Sequence, residues 1–145
     1  MIVMDNNLKA IHKEALQRQA RQRVDLIDEM RAAKNAADRN LPQRDIADLL
    51  ATSQAKVHRL LKAVERRGGR VDEDPEEMIL RAFAYDSSRK KLVEDLKVLS
   101  YTFGESAPYP HEGRTPGTWD QVVTACAQGL LTEQEFAEIR AAVGR

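Results

Sequence analysis

A chain of 145 residues with one cysteine, Cys126, holds no internal disulfide and fits a reducing compartment. Aromatic residues make up only 5% of it, so the core has to be built from Leu, Ile, Val, Ala and Met. No apolar run approaches the roughly 20 residues that span a bilayer. The opening MIVMDNNLK lacks the apolar centre of an export signal. A cytoplasmic protein without a membrane segment is therefore expected. Two-residue alternation bounded by turns is missing, which leaves no strand signal, and no fixed period repeats. His12, His58 and His111 are scattered without ligand spacing. There is no Gly-rich phosphate loop and no HExxH. Neither an enzyme nor a metal or cofactor protein is expected.

What is present is charge, at 32% of residues and a net of zero. The zero hides a division. Residues 1–70 hold 15 Lys and Arg against 9 Asp and Glu, a net of +6, and residues 71–145 hold 8 against 14, a net of −6. A basic half of this kind suits a polyanion. It also suits docking of one half on the other.

Helix formers dominate. Asp5 to Ala37 contains no Gly or Pro and reads as one long helix or two consecutive ones. Leu8, Ile11 and Ala15 share a face, and Val24, Ile27, Met30 and Ala33 recur every third residue. The run QRQARQR, Gln17 to Arg23, reads first as a solvated face and second as a phosphate contact. Pro42 fits the first turn of a helix to about Leu50. Another runs from about Ser53 to Arg67, stopped by Gly68-Gly69. The acidic VDEDPEE marks a linker. Helices follow over about Pro75–Tyr85 and Ser88–Tyr101, with Leu92, Leu96 and Leu99 as a buried stripe. A loop from Gly104 to Thr118 precedes a helix capped by Thr118 and ended by Gly129. Thr132-Glu133-Gln134-Glu135 is a capping box that opens the last helix. The expectation is an all-α protein with an N-terminal domain over 1–70, led by the long helix, a linker over 71–75 and a small C-terminal helical domain over 76–145. In that last domain Trp119, Val122, Val123, Phe136 and Ile139 supply core, and Cys126 is buried and inert.

The densest information lies in LPQRDIADLLATSQAKVHRLLKAV, Leu41 to Val64, where two helical patterns meet across Ala51-Thr52-Ser53. Helical spacing groups Val57, Leu60, Leu61 and Val64 as a buried stripe. Ala55, Arg59, Lys62 and Arg66 fall opposite, with Gln54 and His58 at the flank. Ile46, Leu49 and Leu50 form the matching stripe of the preceding helix, and Ala47 is small where the two would cross. A corner this tight lets the second helix project, as entry into the major groove requires.

Gln43 to Lys62 resembles the twenty-residue helix-turn-helix motif of bacterial and phage regulators. Ile46, Ala47, Leu50, Val57 and Leu60 stand at its apolar positions. Ala51 replaces the usual turn glycine and Thr52 the usual aliphatic residue, so Ala51 has to take a left-handed conformation or the turn has to differ. The resemblance implies base reading by Ser53, Gln54, Ala55, Lys56 and Arg59. Glutamine suits adenine, and arginine or lysine suits guanine. Phosphate contacts are implied for Gln43, Arg44, His58, Lys62, Arg66 and Arg67. A plain αα-hairpin in a bundle is the alternative for this segment.

The second half is open to several roles: dimer contact, a protein partner, ligand sensing, or a further DNA contact. The last would draw on Ser88, Arg89, Lys90, Lys91 and Arg114, with Tyr109 and His111 nearby. The whole layout is similar to the small immunity repressors of actinobacterial temperate phages. That resemblance implies a sequence-specific transcriptional repressor on a double-stranded operator, as a homodimer or as a monomer on an asymmetric site, in the host cytoplasm. The rival expectation is an antitoxin-like module whose acidic half binds a partner protein and which represses its own promoter.

Overall fold

The structure, a computed structural model, describes residues 3–106, 114–115 and 117–145, the side chains of residues 106, 114 and 115 excepted. Its elements are α1 (Asn6–Asp38), α2 (Gln43–Leu49), α3 (Gln54–Arg66), α4 (Pro75–Ala84), α5 (Arg89–Lys97), β1 (Glu105–Ser106), β2 (Arg114–Thr115), α6 (Thr118–Ala127) and α7 (Glu133–Val143). The fold is all-α apart from β1 and β2, which pair antiparallel with Glu105 opposite Thr115. The sequence held no strand signal because a two-residue pairing is too short to show alternation. No described helix is long and apolar enough to cross a membrane.

Two compact units make up the chain. One is Gln22–Asp72; the other joins Met1–Arg21 to Glu73–Arg145. The break after Asp72 falls in the expected linker. The first 21 residues, however, group with the C-terminal unit rather than with residues 22–70, as the sequence had suggested. The cause is polar. Gln17 is buried, and its Nε2 donates to the Phe83 carbonyl at 3.2 Å and to Asp86 at 2.9 Å. Arg21 donates to the Ala84 carbonyl at 3.1 Å, and Lys13 lies 3.7 Å from the Asp86 carboxylate. These side chains recur every fourth residue, one face of α1, and satisfy carbonyls that the end of α4 leaves open. The Gln17–Arg23 run is thus only partly a solvated face.

Within unit 22–72, the second half of α1 contributes Met30, Ala33 and Ala36, α2 contributes Ile46 and Ala47, and α3 contributes Val57, Leu60 and Val64 to one core. Ala33, Ala36 and Ala47 are the small members of this core. Leu49, expected in the buried stripe, is 65% exposed, because α2 ends there and Leu50 turns inward instead. Pro42 precedes the first turn of α2 as its N-cap residue rather than sitting inside it.

The corner between α2 and α3 closes by a Schellman motif. Thr52 N–H donates to the Ala47 carbonyl at 2.9 Å and Ala51 N–H to that of Asp48 at 3.2 Å. Ala51 takes φ +54°, the left-handed conformation. Ser53 then caps α3, its hydroxyl accepting from Lys56 N–H at 3.1 Å. Asn40 ends α1 in the same way, with φ +64°.

In the other unit, Ile79, Leu96, Val122 and Ile139 are fully buried among α4 to α7. Trp119 anchors this core, edge-on to Tyr101 with centroids 5.1 Å apart and stacked on Phe136 at 5.7 Å. Val123, expected beside it, is exposed, and Cys126 is half-buried rather than sealed. Helix α5 ends at Lys97, short of Tyr101, whose hydroxyl donates to the Leu96 carbonyl, and burial pushes its ionisation up to about 12. Gly117, not Thr118, caps α6, and Asp120 accepts its N–H at 2.7 Å. Thr118 pairs instead with Thr102, each hydroxyl accepting the other's backbone N–H at 2.9 Å. The Thr132 capping box forms as read, with Glu135 Oε1 accepting the Thr132 N–H at 2.9 Å.

Two substitutions test these turns. Replacing Ala51 by Gly removes a left-handed penalty of about 1–2 kcal/mol and adds chain entropy worth somewhat less. Ala51→Gly should therefore gain about 0.5–1 kcal/mol in urea unfolding, and a loss would mean that the corner does not depend on this conformation. At Gly117 an added Cβ would stand 2.3 Å from the Thr102 carbonyl oxygen, so backbone must move. Gly117→Ala should cost about 1–3 kcal/mol by the same measurement.

Candidate nucleic-acid interface

The first turn of α3 starts from Ser53, which is exposed but spends its hydroxyl on the helix cap. Val57, Leu60 and Val64 seat the helix on its core, so the spacing of 3.6 residues per turn brings Gln54, Ala55, His58, Arg59, Lys62 and Arg66 to the outside. All six are exposed. Gln43 and Arg44, the first two residues of α2, are exposed as well.

The cations on this surface divide into free and held. Among the described residues, the side chains of Arg44, His58, Arg59 and Arg66 make no hydrogen bond or ion pair. Lys62 lies 3.3 Å from Glu65 one turn on, an exposed pair that is worth little in water. Arg67 is half-buried and engaged within the protein. Lys56 is half-buried, and its ammonium sits 2.6 Å from Glu29 of α1. Of the five expected base readers, then, Gln54, Ala55 and Arg59 are available outright, Ser53 offers an oxygen already in use, and Lys56 is occupied. Glu29 was invisible in the sequence, because its tie to Lys56 depends on how α1 packs beneath α3.

Charge bookkeeping changes with the units. Residues 22–72 carry 11 Lys and Arg against 8 Asp and Glu, a net of +3, half the contrast read from the two halves of the sequence. Lys9, Lys13, Arg18 and Arg21 belong to the other unit. The case for a polyanion surface rests on the free cations beside α3 rather than on a uniformly basic domain.

The second set of expected contacts disperses. Ser88 caps α5 by accepting from Lys91 N–H at 3.2 Å. Arg89 forks onto Glu135, at 2.7 and 2.9 Å, and also donates to the Leu130 carbonyl at 2.9 Å. Lys91 pairs with Asp95 at 2.9 Å, while Lys90 is exposed. The Arg114 side chain, and all of Tyr109 and His111, lie outside the described residues. Arg89 is a structural clamp between α5 and α7. A sequence cluster of basic residues cannot reveal this, since its acceptor lies 46 residues away.

Among the described residues no group of His, Cys, Asp or Glu is arranged to hold a metal ion. A shallow cleft on the C-terminal hairpin, about 650 Å³, is lined by Cys126, Phe136 and Arg140 among others. Comparison with protein-family models, with curated proteins and with solved structures finds no significant match.

The Arg89 clamp has a pH signature. The hydrogen-bonded Arg89 guanidinium holds the Glu135 carboxyl below its ordinary value of 4.5; partial burial opposes this and the Thr132 N–H adds to it. A lowered native value means that this pair stabilises the fold above the ordinary carboxyl value and stops doing so as pH falls through the native one. Thermal unfolding followed downward from about pH 5 should show a declining midpoint, and Arg89→Met should flatten that decline. An equal acid slope in both proteins would remove the pair from the account.

Proposed function

We propose that this protein is a sequence-specific DNA-binding transcriptional repressor that lays α3 in the major groove of double-stranded DNA. The observation that carries the reading is the outward row of α3, Gln54, Ala55, Arg59 and Arg66, with Arg44 beside it, all exposed and without internal partners. The groove, about 12 Å wide, admits one helix. A corner closed within four residues supports that entry by letting α3 stand clear. Arg59 has the fork that matches guanine, Gln54 the amide that matches adenine, and Ala55 the methyl that packs on thymine. Arg44, Lys62 and Arg66 serve phosphates, and that term makes affinity depend on salt. By its layout the protein joins the phage immunity repressors it resembles, acting in a bacterial cytoplasm. Sedimentation with and without operator separates a dimer on a palindrome from a monomer on an asymmetric site.

The antitoxin-like alternative rests on an acidic C-terminal half. With residues 1–21 included, that unit is only −3, from 12 Lys and Arg against 15 Asp and Glu.

A mobility-shift assay on duplexes covering the promoter beside the gene should give a specific complex. Arg59→Ala should cost about 1–3 kcal/mol and relax the preference at one base pair. Arg66→Ala should weaken all sequences alike and lower the salt slope by about one unit. Binding indifferent to sequence, or both variants binding as wild type, would overturn the assignment of α3.

A further inference from the structure

The reading above leaves one cation of α3 unexplained. Lys56 lies on the first turn, where a helix in the groove meets base edges, yet it is half-buried and its ammonium is 2.6 Å from the Glu29 carboxylate. The two side chains are 39% and 37% exposed, so the pair is partly open to solvent at the rim of the unit 22–72 core. Glu29 stands next to Met30, which is buried in that core, and Lys56 next to Val57, which is fully buried. Each partner's backbone is therefore held by a packed neighbour, while its long side chain still loses rotamer freedom when the two meet. Two ion pairs of α1 in this unit stay inside the helix, Arg31 with Asp28 and Lys34 with Asp38. Glu29–Lys56 is an ion pair that ties α1 to α3. It acts at the end of α3 that Ser53 caps, one turn beyond the left-handed Ala51.

We propose that Glu29 and Lys56 are positioning residues: their ion pair sets the angle at which α3 leaves the corner, and Lys56 serves recognition through Glu29 rather than by touching DNA. This rests on the DNA-binding reading of α3. It assigns Lys56 a different duty from Arg59 and Arg66, which have no internal partner. An ammonium already neutralised by a carboxylate 2.6 Å away releases no counterion from a phosphate unless the pair first breaks. If the pair persists, Glu29 and Lys56 together are electrically silent to DNA, and their effect is confined to geometry. Displacing a recognition helix weakens the site that needs accurate base contacts and leaves loosely held, sequence-indifferent binding almost untouched.

The test uses the full chain as wild type, Glu29→Gln, Lys56→Met, and the charge swap Glu29→Lys with Lys56→Glu. Affinity is measured for the operator and for a scrambled duplex of equal length, across a range of salt. Each single variant should lower the operator-to-scrambled ratio by roughly two- to fivefold, the range a partly exposed ion pair supports. Lys56→Met should leave the salt slope unchanged, and the swap should recover most of the ratio. A purely structural role would move the unfolding midpoint without moving the ratio. The proposal is overturned if Lys56→Met lowers the salt slope by about one unit, or if Glu29→Gln tightens binding, since either makes Lys56 a direct DNA cation. It is likewise overturned if the swap is worse than the single variants in the ratio. If the wild type prefers no sequence at all, the DNA reading itself fails, an outcome distinct from these.

Discussion

The arrangement of the unit from Gln22 to Asp72 depends on one alanine held in a conformation that L-residues avoid. With Ala51 at φ +54°, α2 can stop and α3 can start within four residues. The Thr52 and Ala51 amides then donate to the Ala47 and Asp48 carbonyls near the end of α2, so the turn closes on two of the groups that the helix end leaves open. Relax that residue to a right-handed or extended conformation and α2 would run on or the chain would splay. Ile46 and Val57 would then lose their common core. Glycine and asparagine bear this strain more cheaply than alanine, and Asn40 and Asp86 take the other left-handed non-glycine positions among the described residues.

From that corner follows the division of labour around α3. Its inner stripe is short, aliphatic and fully covered. Its outer row is long, cationic and open. The capped first turn sits between the two, held sideways by Lys56 to Glu29. The outer row can thus be read as three kinds of group: those that are free, those in weak exposed pairs, and one neutralised from beneath. Net charge ranks these cations alike, whereas the geometry separates them.

Much of this was legible in the amino-acid pattern. The seven helices, the caps at Ser53 and Thr132, the exposed row of α3 and the inner positions Val57, Leu60 and Val64 all follow from spacing and local chemistry, which neighbouring residues decide. The failures share a different cause. Leu49 and Val123 have the right residue type but stand where no second element arrives. The β1–β2 pairing is two residues long. Arg89 looks like part of a cationic cluster until α7 brings Glu135 to it. The grouping of residues 1–21 with the C-terminal unit depends on Gln17 meeting the end of α4. A glutamine inside a run of glutamines and arginines gives no hint of that.

Helix α1 is one uninterrupted helix, yet its residues belong to two units. The chain therefore has no single peptide bond at which it can be divided into two intact halves. A cut at Gly68-Gly69 would carry Gln17 away from the Phe83 carbonyl and the Asp86 carboxylate that it binds. It would also strip the end of α4 of the side chains that satisfy it. A junction placed at the linker would therefore part Gln17 and Arg21 from the α4 carbonyls they bind, so neither unit can be exchanged at one point without losing those hydrogen bonds.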